Sequence, residues 1–325
     1  EFGLAINKNI SGTSSILKSA SLIKNETDRI NFLFHAVKKQ VSWNGYTGIY
    51  ARDKLKRAWD ARQGSAADIN LTLINLLKAA GIEVYPLLVS TRQHGRVDIN
   101  HPFLGQFNKV IALAVSEGKR YFLDASGNNP EINLIPIELL NTTALKIDQK
   151  KSDFLRIEDD QHFEKRIVTV TGKVKGDGFL NAEANVSETD YARAITMRMI
   201  GTDINSWIKE KYFKSYGSVT LDSSMVQNME YDSLPLLQKM KFKYGLQNSG
   251  GYVMLDLKMF SGFSLNPFIA GKRYTDINFG CRKQITLMHN LDIEEGFTLE
   301  SLPENKTLLM SDSSILYSRQ LEWSG

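Results

Sequence analysis

Residues 63–81 read QGSAADINLTLINLLKAAG, and this stretch decides the fold. Its apolar residues would cover most of the circumference of a helix, and Gly81 is placed to end that helix in the C′ position. These apolar residues are Ile69, Leu71, Leu73, Ile74, Leu76 and Leu77. Since a helix that is apolar on most sides must be covered on most sides, the sequence predicts a helix buried at the centre of a domain.

The flanking segments complete this first unit. Apolar residues recur at helical spacing from Thr27 to Val41, and Thr27 or Asp28 could accept the first free amides of that helix. A turn-rich loop at 43–48 and a short helix at 53–62 precede the central helix. Strands are predicted after it at 84–90, 109–115 and 120–123, with a turn at 116–119. Helices followed by antiparallel strands predict an α+β fold.

The second half of the chain has a different pattern. Valines alternate with polar residues from Val168 to Val174, and a second alternating run from Leu180 to Val186 follows the turn Gly176-Asp177-Gly178. A single amphipathic helix is predicted at 188–213. Further strands are predicted around Val219, Met240, 253–259, 285–288 and 315–321. We therefore predict two domains, 1–150 and 151–325, the second a mostly antiparallel β-sandwich with one helix.

Composition limits the classes of function. The 325 residues are 42% hydrophobic and 23% charged, which is typical of a globular protein. The sequence contains no run of 18 or more apolar residues, so membrane insertion of this segment is not predicted. The start at Glu1, without Met or a signal pattern, is interpreted as that of an excised or processed piece. Residues 1–150 carry 19 Lys and Arg against 13 Asp and Glu, while 151–325 carry 21 against 23. The basic residues at 52–62 are interpreted as a solvated helix face, so no nucleic-acid partner is predicted.

Metal and thiol chemistry have little support in the sequence. Cys281 is the single cysteine, which excludes an intrachain disulfide, and the five histidines form no pair at ligand spacing. We therefore predict neither a metal site nor a cofactor. Cys281 is interpreted as a buried, unreactive thiol.

The polar entrance to the central helix, Gly64-Ser65-Ala66-Ala67-Asp68, allows two interpretations. Glycine and small residues at a helix N-terminus can place a nucleophile where amides stabilise negative charge. Ser65 can equally be a simple N-cap.

Four segments, taken together, resemble the core of a transglutaminase-like domain over roughly residues 25–145. They are 64–68, 73–84 (Leu-Ile-Asn-Leu-Leu-Lys-Ala-Ala-Gly-Ile-Glu-Val), 107–112 (Phe-Asn-Lys-Val-Ile-Ala) and 121–126 (Tyr-Phe-Leu-Asp-Ala-Ser). The family pattern runs Gly-x-Cys-x-Asp, a leucine-rich helix ending in Ala-Gly-Ile, Phe-Asn-His-Val, and Leu-Asp-Ala/Pro-Thr. The second half resembles the β-rich domain that follows such cores in large bacterial proteins, chiefly at Asn266-Pro267-Phe268, Arg273 and 276–280. The resemblance implies a periplasmic or cell-surface location.

The resemblance also implies a degenerate catalytic site. The family's nucleophilic cysteine falls on Ala66 and its histidine on Lys109, while its aspartate is kept as Asp124. The methyl group of Ala66 has neither lone pair nor proton to act as a nucleophile. Without the cysteine and the histidine, the catalytic rate of such a triad is expected to fall roughly 10³-fold or more. The predicted function is therefore that of a catalytically inactive binding or scaffolding protein. Lys109 and Asp124 are predicted to form an ion pair between neighbouring strands.

Two other functions remain open. The first is an amide hydrolase or acyltransferase with Ser65 as nucleophile, supported by Lys109 and Asp124. The second is a purely architectural spacer. His94 and His101 are interpreted as exposed loop residues. For the binding function, the predicted groove includes Tyr46, Trp59 and Asn108, and the predicted partner is a peptide, protein or glycan segment.

Overall fold

The structure is a computed structural model that describes residues 5–6, 8–52, 54–127, 131–231, 233–263, 269, 271–272, 274 and 279–323. It has an α+β fold, as predicted, and its described residues form two five-stranded sheets and three smaller ones. Among these residues the α-helices are α1 (Ser14–Ser21), α2 (Glu26–Gln40), α3 (Leu55–Ala61), α4 (Ala66–Ala79), α5 (Asp190–Met199) and α6 (Ile204–Ile208).

The helix predicted from residues 63–81 is α4, and it is the centre of the first core. Every residue from Ala66 to Leu77 is buried. Helices α2 and α3 pack against it on one side, and strands β3 (Glu83–Val89) and β4 (Lys109–Ser116) pack on the other. Helix α2 begins differently from the prediction, because the side chain of Asn25, rather than that of Thr27 or Asp28, accepts the amide hydrogen of Asp28 at 2.9 Å.

The first sheet has the order β5-β4-β3-β6-β7, and all its pairs are antiparallel. Its remaining strands are β5 (Lys119–Leu123), β6 (Thr142–Lys146) and β7 (Asp153–Ile157). The predicted turn between β4 and β5 is present, with Glu117 and Gly118 at φ of 51° and 76°, the left-handed conformation that a two-residue hairpin loop needs. Strand β7 lies beyond residue 150, the predicted end of the first domain, and pairs with β6.

Both faces of this first sheet are buried. Alternate side chains, such as Leu88 and Val110, face α4, while Leu87 and Ile111 face a second cluster. That cluster includes Leu139, from the segment between β5 and β6, and Tyr191 of α5. The sheet is therefore covered on one side by helices of the first half and on the other partly by a helix of the second.

The second sheet has the order β10-β11-β9-β8-β14. The predicted hairpin is formed by β8 (Phe163–Val174) and β9 (Phe179–Thr189), and β10 (Val219–Gln227) and β11 (Leu236–Gly245) extend it antiparallel. Strand β14 (Arg282–Ile293) instead runs parallel to β8, from the pair Phe163–Arg282 to the pair Val174–Ile293.

The helix predicted at 188–213 is divided in the structure. Helix α5 ends at Met199, and Asp203 caps α6 by accepting the Ser206 amide hydrogen at 3.0 Å. A π-helical turn, Lys209–Phe213, follows directly. The segment covers the inner face of the second sheet, where Tyr212 and Phe213 pack against Met240 and Phe242.

Three short pairs lie outside the large sheets. Strands β1 (Ser42–Trp43) and β2 (Gln63–Gly64) are parallel, whereas β12 (Gln247–Ser249) with β13 (Tyr252–Met254), and β15 (Lys306–Leu309) with β16 (Leu316–Arg319), are hairpins. The strand predicted at 253–259 is shorter than expected, because Asp256 Oδ1 accepts the Lys258 amide hydrogen at 2.8 Å and turns the chain. Residues 266–268, 273 and 276–278, on which the resemblance of the second half chiefly rests, lie outside the described ranges.

Candidate functional site

The first turn of α4 is closed by a reciprocal cap. Ser65 Oγ accepts the Asp68 amide hydrogen at 3.2 Å, and Asp68 Oδ2 accepts hydrogens from Ser65 N at 2.9 Å and from Ser65 Oγ at 2.6 Å. Ser65 is 1% exposed. Its hydroxyl group therefore serves as donor and acceptor within the helix N-terminus, the capping function that was one of its two interpretations.

Ala66 is the first residue of α4 and is fully buried. Its amide donates to the carbonyl oxygen of Tyr46 at 2.9 Å. An amide at this position could otherwise stabilise a developing negative charge. The carbonyl oxygen of Tyr46, in the loop 43–48, thus occupies the hydrogen-bonding position of this amide.

Lys109 and Asp124 form the ion pair that the sequence predicted. Lys109 begins β4, Asp124 directly follows β5, and Lys109 Nζ donates to Asp124 Oδ2. Both side chains are buried. Glu138 extends the pair, with its Oε1 atom 3.7 Å from Lys109 Nζ, and Glu138 Oε2 lies 4.0 Å from an Arg198 nitrogen of α5.

The second carboxylate oxygen of Asp124 is also fully engaged. Oδ1 accepts from Asn70 Nδ2 at 2.9 Å, from Ser126 N at 3.0 Å and from Ser126 Oγ at 2.5 Å. Asn70 also donates to the carbonyl oxygen of Val110 and accepts from the amide of Ala125. Since Asn70 lies on α4, this one amide side chain joins the central helix to β4 and to the segment that follows β5.

The electrostatics follow from these contacts. Burial alone would raise the pKa of Asp124, but the charge of Lys109, with hydrogen bonds from Lys109, Ser126 and Asn70, lowers that pKa below its ordinary value. Asp124 is therefore ionised at neutral pH and compensates the charge of Lys109. The pair is a closed structural unit.

The proposed serine arrangement is not assembled in the described part of the chain. Ser65 Oγ bonds to Asp68, and the contacts of Lys109 Nζ are with Asp124 and Glu138. No hydrogen bond joins Ser65 to Lys109 among the described residues. The sequence reasoning missed Asn70, Ser126 and Glu138; only Asn70, four residues after Ala66, could have been placed on the same helix face.

The predicted groove residues have separate positions. Trp59 is 4% exposed and belongs to the first core. Asn108 holds residue 91 through its side chain, accepting from Thr91 N and donating to Thr91 Oγ1, both at 3.0 Å. Tyr46 is 55% exposed, with the Arg52 guanidinium carbon 4.2 Å from its ring centroid.

The histidines and the cysteine make local contacts. His94 Nε2 lies 3.2 Å from the carbonyl oxygen of Gly105, and His101 Nδ1 lies 3.1 Å from Asp98 Oδ2, all within one exposed loop. Cys281 packs against the cluster that contains Tyr191, and burial raises the pKa of its thiol. Within the described ranges, no three His, Cys, Asp or Glu side chains form a metal-binding group. No helix among those residues is long and apolar enough to span a membrane.

Comparison with known proteins finds partial likenesses to solved structures. No protein-family model and no curated protein matches the chain. A "putative protease" from Parabacteroides distasonis aligns with 78% of this chain and 52% of its own, at 14% identity and a TM-score of 0.39. A "putative cysteine protease" from Cytophaga hutchinsonii aligns with 47% of this chain and 50% of its own, at 14% identity and a TM-score of 0.29. The aligned parts thus amount to about half the length of each of these proteins.

Proposed function

We propose that this chain is a catalytically inactive transglutaminase-like protein with a binding or scaffolding role in the bacterial envelope. The supporting observation is the buried pair of Lys109 and Asp124. By the sequence resemblance, these are the positions of the family's histidine and aspartate, and Ala66 stands in the position of its cysteine. An ion pair stabilises the junction of helix and strands where the family would place a proton-transfer pair.

The contacts argue against acyl transfer at the candidate site in three ways. Ala66 offers no nucleophile, its amide is bonded to Tyr46, and Lys109 is held by Asp124. A general base needs a free lone pair directed at the proton it removes. A lysine ammonium group that donates to a buried carboxylate has no free lone pair.

The amide hydrolase is the second candidate, and an activity assay separates it from the first. Purified protein would be incubated with glutamine-containing peptides while ammonia release and amine incorporation are measured, alongside Ser65→Ala. We expect both proteins to stay at the uncatalysed background, because the Ser65 hydroxyl group is engaged in the cap. Turnover by wild type that Ser65→Ala abolishes would contradict inactivity and favour the hydrolase.

The binding role has a surface beside the buried pair. The loop 43–50 exposes Trp43, Tyr46 and Tyr50, and its backbone is fixed by the Ala66–Tyr46 hydrogen bond and by a bridge between Gly48 and Lys109. Exposed aromatic rings on a fixed backbone favour contacts with sugar rings and extended peptides. The proposed partner is therefore an envelope peptide, protein or glycan that lies across this loop.

A sedimentation assay with insoluble peptidoglycan, which contains both glycan and peptide, tests the surface. We expect Tyr46→Ala to lower the bound fraction several-fold, because Tyr46 is fractionally the most exposed of the three aromatic residues. Tyr252→Ala, an equally exposed tyrosine in the second half, is the matched control and should bind like wild type. Failure of wild type to sediment, or equal loss in both variants, would count against this surface.

A further inference from the structure

A second buried polar cluster lies on the inner face of the second sheet, away from the candidate site. Strands β8, β9 and β11 place Arg166, Glu188 and Gln238 on that face. Glu188 and Gln238 are fully buried, and Arg166 Nε donates to Glu188 Oε1 at 2.8 Å. A carboxylate so deeply buried must be compensated by its neighbours.

Lys211 reaches the same carboxylate from the π-helical turn. Its Nζ atom donates to Glu188 Oε1 at 3.0 Å and to Thr196 Oγ1 at 2.7 Å. The rings of Trp207 and Tyr212 lie 4.5 and 5.0 Å from this nitrogen. The amine is thus held beside two aromatic rings, with Glu188 as the carboxylate to which it donates.

Gln238 is bound to the other oxygen of Glu188. Its Nε2 atom donates to Glu188 Oε2 at 2.8 Å, and its Oε1 atom accepts from the Tyr212 hydroxyl group at 2.9 Å. A hydrogen bond to a carbonyl oxygen polarises the carbonyl group and stabilises the negative charge that develops there during attack. One carboxylate therefore bridges an amine and a polarised amide.

We propose that Lys211 and Gln238 become joined by an intramolecular isopeptide bond that the protein forms by itself. The lysine nitrogen bonds to Cδ of Gln238, the Cδ–Nε2 bond breaks, and ammonia leaves. Glu188 accepts the proton that the amine gives up and delivers it to the departing nitrogen. Atoms and charge balance without any co-reactant.

The state of the amine supports this step. Burial lowers the pKa of Lys211 to about 8, against the raising effect of the Glu188 charge. The neutral form is therefore more accessible at neutral pH than in an exposed lysine, and a neutral amine is the nucleophile that the step needs. Arg166 keeps Glu188 in position as its second cationic partner.

Lys109 and Asp124 provide the contrast within the same molecule. They are also a buried lysine with a side-chain acyl group, but Asp124 is held as a carboxylate by its lowered pKa. An ionised carboxylate is a poor electrophile, whereas the amide of Gln238 is neutral. The cross-link is therefore assigned to the second sheet and not to the candidate site.

Mass spectrometry of the intact, folded 325-residue protein tests the proposal. We expect wild type to be lighter than its sequence by the mass of one ammonia molecule, and its proteolytic map to contain a branched peptide with Lys211 joined to Gln238. The variant Lys211→Arg keeps the positive charge but cannot form the bond, so it should have the full mass. Glu188→Gln should form the bond at least about a hundredfold more slowly, because the proton carrier is lost.

A wild-type protein of full mass after prolonged incubation would overturn the proposal. So would an ammonia loss that maps to any other position, such as an asparagine. The wild-type map decides the question even if a variant fails to fold. Circular dichroism of Lys211→Arg shows whether its full mass belongs to a folded protein.

Discussion

Asp124 is the residue on which the candidate site depends most. Its carboxylate accepts from a lysine, an asparagine, a serine hydroxyl and a backbone amide, so it ties α4, β4 and the residues after β5 together. Because it is buried, none of these donors could be replaced readily by water.

The substitution Asp124→Asn should lower the free energy of unfolding by about 3–5 kcal/mol, since it leaves Lys109 buried beside a neutral side chain. Denaturant titration measures this. Asp60→Asn is the control, because its ion pair with Lys56 is about half exposed, and it should cost less than about 1 kcal/mol. Equal effects of the two substitutions would show that the buried pair contributes no more than a surface one.

The stabilising effect of Asp124 also depends on pH. The folded protein lowers the pKa of this carboxyl group, so its contribution is complete above the ordinary aspartate value of about 4 and is lost as the pH falls through the lower folded value. The difference in stability between wild type and Asp124→Asn should therefore shrink on acidification below pH 4. A difference that stays constant there would contradict the assignment.

The sequence predicted this pair because Lys109 and Asp124 have opposite charges. By the family resemblance, they stand at two positions that would face each other on neighbouring strands. It did not predict Asn70, Ser126 or Glu138. An amide or hydroxyl side chain carries no charge pattern, and its partner depends on how the helix is rotated against the sheet. That rotation is set by the packing of the whole core, which cannot be deduced from residue types alone.

At the level of elements, α5 links the two sheets. It packs on β8, yet Tyr191 belongs to the cluster on the outer face of the first sheet. The Tyr191 hydroxyl group donates to Asp159 Oδ2 at 2.6 Å, in the five residues between β7 and β8.

Tyr191→Ala should therefore destabilise the molecule by roughly 3–5 kcal/mol and separate a single calorimetric transition into two, because it removes the largest buried side chain that the second half contributes to the shared cluster. Tyr191→Phe keeps the ring and loses only the hydrogen bond of the hydroxyl group. We therefore expect it to lower the free energy of unfolding by about 1 kcal/mol and to leave a single calorimetric transition. If Tyr191→Ala melts in one transition with a loss as small as that of Tyr191→Phe, α5 is not the link.

The same region shows where element prediction failed. The apolar periodicity at 188–213 does not show the break at 200–203, whose signals are Gly201 and Asp203, residue types that commonly end and begin helices. The π-helical turn that follows brings Lys211 to Glu188, and no periodicity predicts a π-helical turn. Helix α4 was predictable because its burial is nearly complete and its boundaries are marked by Ser65 and Gly81.

At the scale of the whole molecule, the division at residue 150 remains a prediction. Strand β7 belongs to the first sheet, and only residues 158–162 separate it from β8. The shared cluster around Tyr191 would make the two halves cooperate in unfolding even if each has its own core. Sequence alternation identified the second sheet but could not reveal contacts between the halves.

The parallel pairing of β8 with β14 has a mechanical consequence. The chain enters the second sheet at Phe163 and leaves β14 at Ile293, which lie at opposite ends of two twelve-residue parallel strands. Tension applied along the chain would slide these strands past each other and load their hydrogen bonds simultaneously, instead of opening them one at a time as in an unzipped hairpin. The sheet is therefore arranged to resist stretching between these two points of the chain.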